Sequence, residues 1–140
     1  MFCFTGCVSQ SNIKFPKVGN NVVYSKIAAL PFTPSDENIS YGEDPFQYAL
    51  LWRAEKNKNK SHTPLVILIH GGCWLSEYDI QHTYALSTGL AQAGFNVWSL
   101  EYRRSGELGG AWPSTYDDVK LGSMLQLVTI VANLIWRDQY

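Results

Sequence analysis

The sequence lacks a charge excess, a long apolar run and a cysteine framework, and each absence excludes a class of protein. Eleven Lys and Arg residues against twelve Asp and Glu residues leave a net charge of −1, which argues against a nucleic-acid-binding surface. No apolar stretch reaches the roughly 18–20 residues that a membrane span needs, so we expect no transmembrane segment. The remaining composition, 140 residues with 46% hydrophobic, is that of one ordinary globular domain.

Cysteines and histidines are too sparse to predict a disulfide scaffold or a metal site. The chain has three cysteines without a CxxC pair: Cys3, Cys7 and Cys73. His70 and Cys73 could form half of a metal site with either His62 or His82, but no such pairing has a recognised ligand spacing. We therefore expect neither a metal ion nor a cofactor.

The first residues allow two interpretations. Phe4-Thr5-Gly6-Cys7 resembles a bacterial lipobox, in which Cys7 would be the lipidated residue. Only six residues precede Cys7, whereas a secretion signal needs a basic region and an apolar region of about 7–15 residues. Residues 1–21 are either a lipoprotein-signal remnant and tether, with the true start upstream and a cell-envelope location, or the frayed N-terminus of a cytoplasmic protein.

Apolar patterns in the middle of the chain predict strands. The alternation over residues 46–52 predicts a strand with one face buried, and residues 22–27 form a weaker strand candidate. Leu65–Ile69 is a short, fully apolar run of the kind found in the middle of a parallel sheet.

A helix and another strand follow this apolar run. Residues 80–93 have helical spacing, Gly94 supplies the stop, and residues 95–102 form the next strand. Such a βαβ crossover joins parallel strands. A second helix should begin at Ser114, with Asp117 and Asp118 placing negative charge in its first turn, where the helix dipole favours it.

The segment that could take part in catalysis is His70-Gly71-Gly72-Cys73-Trp74, directly after the apolar run. Two glycines let the backbone turn sharply and leave N–H groups free. Such amides can donate to a developing oxyanion, and one donor typically contributes about 3 kcal/mol to lowering the barrier. An HGGG-type loop makes this contribution in lipases and esterases.

These elements together resemble a known family. After the strand ending at Trp52 and the HGGxW segment come Glu101-Tyr102-Arg103-Arg104-Ser105 and Trp112-Pro113, which leads to the two aspartates. Residues 38–122 resemble the N-terminal half of an α/β-hydrolase, in the HGGxW esterase branch. That branch contains feruloyl- and acetyl-esterase-like enzymes, hormone-sensitive-lipase-like carboxylesterases and kynurenine formamidases. The implied fold class is α/β: antiparallel N-terminal strands, then a parallel βαβ unit, truncated before the nucleophile elbow.

The resemblance also implies roles for individual residues. The backbone N–H groups of Gly72 and Cys73 would be the oxyanion donors, and the imidazole of His70 would order the loop through local hydrogen bonds. Trp74 would pack beside the acyl pocket, with a plain core tryptophan as the alternative. Arg103 would form a structural ion pair. The Cys73 thiol is not assigned as a nucleophile, because no second histidine with a supporting carboxylate follows it in a recognisable arrangement.

The family's nucleophile sits in a G-x-S-x-G elbow, and these 140 residues contain none. Neither Ser105 nor Ser123 follows a buried strand at an elbow, and the last histidine is His82. Residues 22–122 are therefore interpreted as a partial hydrolase domain. Residues 123–140 are interpreted as an atypical apolar tail, hypothetically read out of frame.

Two main functional interpretations remain open. The chain is either the N-terminal fragment of a serine carboxylic-ester hydrolase that works through an acyl-enzyme, or a non-catalytic truncated or pseudoenzyme fragment. Amide-cleaving formamidase chemistry is a third option. The expected partners are a small-molecule ester in the intact relative and a second copy bound at the exposed sheet edge. Such an edge also predicts marginal stability.

Overall fold

The computed structural model of the chain describes residues 12–17, 19–55 and 63–137. Cys7 and His62 lie outside these residues. The strands are β1 (Glu37–Ser40), β2 (Tyr48–Trp52), β3 (Leu65–Ile69) and β4 (Asn96–Leu100). The helices are α1 (Tyr24–Ala28), α2 (Tyr84–Gln92), which a 3₁₀ turn (Ile80–Thr83) precedes, and α3 (Ser114–Arg137).

The described strands form one mixed sheet in the order β1-β2-β4-β3. β1 pairs antiparallel with β2, and β2 pairs antiparallel with β4. β3 pairs parallel with β4, with Ile69 opposite Leu100. The predicted α/β class is confirmed, with antiparallel N-terminal strands followed by a parallel βαβ unit.

Two apolar clusters cover the two faces of this sheet. Because side chains alternate along a strand, neighbouring residues of β4 enter different clusters. Val97 packs with α2 and the 3₁₀ turn, whereas Trp98 and Leu100 pack with α3. The Trp98 indole also donates to the carbonyl of Gly122 at 3.1 Å. The sheet is therefore held between α2 on one face and α3 on the other.

The predicted helix over residues 80–93 is present, although its first turn is 3₁₀. The Asp79 side chain caps this turn by accepting from the Gln81 N–H at 2.9 Å. Gly94 ends α2 with φ +92°, a backbone conformation that glycine adopts without strain. Helix α3 begins at Ser114, as predicted.

The strand predicted over residues 22–27 is wrong, because this segment contains the short helix α1. Its β-branched residues favour a strand, but no described strand pairs with it, and tertiary contacts override such propensities. Tyr24 holds α1 against the 3₁₀ turn through a hydrogen bond to Asp79 at 2.6 Å.

Two expectations about burial are also wrong. Both Ala49 and Leu50 of β2 are buried, so that strand has both faces covered rather than one. β3 lies at the edge of the described sheet rather than in its middle, and Ile67 and Ile69 are 36% and 45% exposed. Among the described residues, no helix has both the length and the apolar character to span a membrane.

Candidate active site

The parallel pairing of β3 with β4 brings two loop segments together. Because both strands end at the same edge of the sheet, the residues after Ile69 and those after Leu100 are neighbours. The HGGxW segment thus lies beside Glu101 and Tyr102. Further along, the Ser105 N–H donates to the Trp74 carbonyl at 2.7 Å. The two segments are therefore linked by backbone as well as side-chain contacts.

The loop turns through three successive residues with positive φ: Gly72 at +115°, Cys73 at +53° and Trp74 at +58°. Positive φ is uncommon for residues other than glycine and costs about 1–2 kcal/mol each. The Leu75 N–H closes the turn by donating to the Gly72 carbonyl at 3.1 Å. A conformation of this kind persists only where its surroundings hold it.

The backbone N–H groups of Gly72 and Cys73 donate to no acceptor within the described part of the chain. Gly72 is half-buried and Cys73 is exposed, with a free thiol. Two adjacent unpaired donors in one strained turn can bind an oxyanion without first breaking other hydrogen bonds.

His70, the residue before the loop, is only 3% exposed and is held from several directions. Its Nε2 donates to Glu101 Oε1 at 2.8 Å, and its Nδ1 lies 3.0 Å from the Gly71 carbonyl. Its ring stacks on Tyr102 at 4.3 Å, and the Tyr102 hydroxyl donates to the His70 carbonyl at 2.6 Å. Both the side chain and the backbone of His70 are therefore fixed.

Glu101 is the centre of this buried network, with 1% exposure. Besides His70, its carboxylate accepts from the Tyr102 N–H at 2.9 Å and from the Ile80 N–H at 3.1 Å. Burial, aided by the negative charge of Glu101, raises the pKa of Tyr102 to about 12. That hydroxyl thus keeps its hydrogen near neutral pH and can donate to the loop.

Glu101 and Tyr102 have a positioning role that the sequence analysis did not assign. Both residues belong to the motif that follows β4, but their contacts with His70 depend on the β3–β4 register. A signal was present in the sequence: polar residues directly after two strands predicted to be parallel meet at one sheet edge.

Gly72 also has a steric role. A Cβ at this position would lie 2.4 Å from the Cβ of Tyr78. The backbone of the loop therefore rests directly on Tyr78, and no larger residue fits there without a shift.

Trp74 is 60% exposed, so the alternative of a plain core tryptophan is wrong. It borders an apolar cavity of about 220 Å³ between the loop and the start of α3. The other lining residues are Ile69, Ser105, Ala111, Trp112, Thr115, Tyr116 and Val119.

Arg103 forms the expected ion pair, and its partner is Asp118. The guanidinium donates twice to the Asp118 carboxylate, at 2.7 and 2.8 Å, and the Arg103 N–H adds a third bond at 3.0 Å. Gln47 donates to the same carboxylate at 2.7 Å. Asp118 therefore does more than face the helix dipole: it joins α3 to the segments flanking β2 and β4.

The remaining candidate residues are His82, Ser105 and Ser123. The rings of His70 and His82 are 5.6 Å apart, but the described residues include no group of three or more metal-ligating side chains. Ser105 lies in the loop after β4, and Ser123 lies within α3. Neither serine is on a strand-to-helix elbow.

Comparison with known proteins decides the family. The BD-FAE family model matches residues 53–127, just over half of the chain. This chain belongs to the BD-FAE family. The resemblance to the α/β-hydrolase esterase family is thereby confirmed, and the BD-FAE match includes the HGGxW loop, Glu101, Tyr102 and Asp118.

Two similar proteins accompany the BD-FAE match. Esterase LipC of Mycobacterium tuberculosis is 32% identical over 82 residues, which cover 59% of this chain and 20% of that protein. The chain thus spans about a fifth of the length of this relative. The crystal structure of a "putative thioesterase" from Silicibacter sp. TM1040 aligns with a TM-score of 0.39 and 25% identity, over 48% of this chain and 24% of the other. That score is too low to support an argument.

Proposed function

We propose that this chain carries the oxyanion-hole loop of a carboxylic-ester hydrolase. The backbone N–H groups of Gly72 and Cys73 are the oxyanion donors, His70 orders the loop, and Trp74 contacts the substrate. The observation that carries the proposal is the pair of unpaired N–H groups in a strained turn above a buried network. Membership of an esterase family and the similarity to Esterase LipC support ester substrates over amides.

The proposed reaction proceeds through an acyl-enzyme. A serine outside these 140 residues attacks the ester carbonyl, and the two N–H groups bind the oxygen as it gains negative charge. One such donor is typically worth about 3 kcal/mol of barrier. The loop needs no rearrangement at that moment, because its conformation is already set by Glu101, Tyr102 and Tyr78.

The experiment that tests this function is the nucleotide sequence of the locus, followed by assay of the protein that it encodes. We expect a G-x-S-x-G motif, an acidic residue and a histidine beyond residue 140, in some reading frame. The encoded protein should then hydrolyse p-nitrophenyl acetate. Absence of this motif in every frame would overturn the catalytic proposal.

The 140-residue chain alone should not react with a fluorophosphonate probe. Within the described residues, no hydrogen bond joins Ser105 or Ser123 to a histidine that could activate it. Gel fluorescence, with peptide mapping of any labelled site, is the measurement, and a heat-denatured sample is the control. Native-specific labelling of either serine would contradict the assignment of the nucleophile to a position outside the chain.

The exposed edge of β3 favours a second candidate function, in which the chain is a non-catalytic unit that completes its sheet with a second copy. Ile67→Lys should weaken such self-association about tenfold, because it places a charge on an apolar edge strand. Sedimentation velocity over a concentration series measures this. Leu86→Lys is the control, since Leu86 is 52% exposed on α2. Equal effects of the two variants, or a monomer at all concentrations, would exclude pairing at this edge.

A further inference from the structure

Tyr24 of helix α1 contacts residues that lie next to the candidate oxyanion loop, His70 to Trp74. Its hydroxyl donates to Asp79 Oδ1 at 2.6 Å and lies 3.3 Å from the Asp79 N–H. None of the residues of α1 is fully buried. Because this short helix adds no fully buried side chain to the core, core packing does not explain its position. The hydrogen bond between Tyr24 and Asp79 therefore suggests a different role for the helix.

Two chains of ring contacts connect Tyr24 with the loop. On one side, the Tyr24 ring lies edge-on to Tyr78 at 5.3 Å, and Tyr78 supports Gly72. On the other side, the Tyr24 ring lies 5.3 Å from His82, which lies 5.6 Å from His70. Tyr24 therefore contacts His82, which lies next to His70 at the start of the loop, and Tyr78, which supports the middle of the loop.

We propose that Tyr24 is a positioning residue that holds the oxyanion loop in its left-handed conformation by bracing Tyr78, Asp79 and His82. Tyr24 lies outside residues 53–127, the segment that the BD-FAE family model matches. The inference rests on the proposed function only in taking the loop to bind an oxyanion. The bracing itself concerns loop conformation and is measurable without catalysis.

The hydroxyl of Tyr24 is suited to a permanent hydrogen bond. Burial, followed by the interaction with Asp79, raises the pKa of Tyr24 to about 12, so the hydroxyl stays protonated near neutral pH. Its acceptor, Asp79, also accepts from the Gln81 N–H through its side chain and from His82 Nδ1 through its carbonyl, at 2.6 Å. Burial lowers the pKa of His82, which favours the neutral form of that ring. Loss of the Tyr24 hydroxyl thus loosens the 3₁₀ turn and both ring contacts together.

The test is ¹⁵N relaxation of the full chain, comparing wild type with Tyr24→Phe. We expect the order parameters of the Gly72 and Cys73 amides to fall measurably below about 0.85, the value typical of rigid backbone. A hydrogen bond of this kind corresponds to about a fivefold change in the population of a loosened state. Asp79→Asn keeps an acceptor for the hydroxyl and should leave both amides close to wild type.

Tyr84→Phe is the matched control. Its ring packs against Phe32 and Trp52, and its hydroxyl makes no hydrogen bond within the described residues. If Tyr24→Phe lowers stability to urea but leaves the two amides unchanged, Tyr24 is merely structural and the proposal is wrong. It is equally wrong if Tyr84→Phe loosens the loop to the same extent. Failure of the esterase assay alone removes the proposed function but leaves this bracing intact.

Discussion

Replacing Gly72 with alanine should lower the free energy of unfolding by about 2–4 kcal/mol, through backbone strain and overpacking together. The strain arises because φ at this position is +115°, which an L side chain rarely adopts. The overpacking arises because the new Cβ would lie 2.4 Å from the Tyr78 Cβ. Neither residue can relieve the contact by rotating a side chain, so the backbone must move. Equilibrium unfolding in urea measures the loss.

Two other glycines separate these causes. Gly94 has φ +92° and open space around its Cβ position, so Gly94→Ala should show the strain alone, about 1 kcal/mol. Gly71 has neither strain nor a neighbour within 4 Å, and Gly71→Ala should change stability by no more than about 0.5 kcal/mol. A Gly72→Ala cost equal to that of Gly94→Ala would show that Tyr78 does not support the loop.

Replacing Asp118 with asparagine should cost about 3 kcal/mol, because it leaves a partly buried guanidinium without its counter-charge. The Asp118 carboxylate is 1% exposed and the Arg103 side chain 22%. Asp117→Asn is the matched control, since Asp117 is exposed in the same helical turn. It removes the same charge from the helix N-terminus and should cost no more than about 1 kcal/mol.

The pH dependence of the Asp118 variant gives an independent check. Burial raises the pKa of Asp118, but the hydrogen bonds from Arg103 and Gln47 lower it more, to a net value below the ordinary 3.8. A carboxylate with a depressed pKa contributes stability that is present above the unfolded pKa and is lost as pH falls through the folded pKa. The difference between wild type and Asp118→Asn should thus be constant above about pH 5 and shrink below about pH 4. A difference that is unchanged at pH 3 would exclude the ion pair as its cause.

Local sequence patterns predicted the helices and strands that are specified by residues adjacent in the chain. The apolar run of β3, the helical spacing of α2, the stop at Gly94 and the start of α3 at Ser114 are each encoded by adjacent residues. Helix α1 and strand β1 were not predicted, because their conformations depend on partners far along the chain. β1 exists through its pairing with β2, and α1 is held by Tyr24 against Asp79.

The candidate site was likewise predictable only in its local features. The motif indicated the loop and its glycines, and the oxyanion role of Gly72 and Cys73 stays a prediction. What the motif could not indicate is the support of the loop. Glu101 and Tyr102 reach His70 only because Ile69 and Leu100 are opposite each other in the sheet. Such contacts are a property of register, which a linear pattern specifies only indirectly.

The distributed support of the loop bears on protein engineering. Cys73 and Trp74 hold left-handed backbone conformations that their own chemistry disfavours. The groups that enforce them come from α1, from the segment before α2 and from the end of β4. A five-residue graft of His70 to Trp74 onto another scaffold would therefore transfer the sequence of the motif but not its backbone conformation. A functional transplant would have to include Tyr24, Tyr78, Glu101 and Tyr102 in the same spatial arrangement.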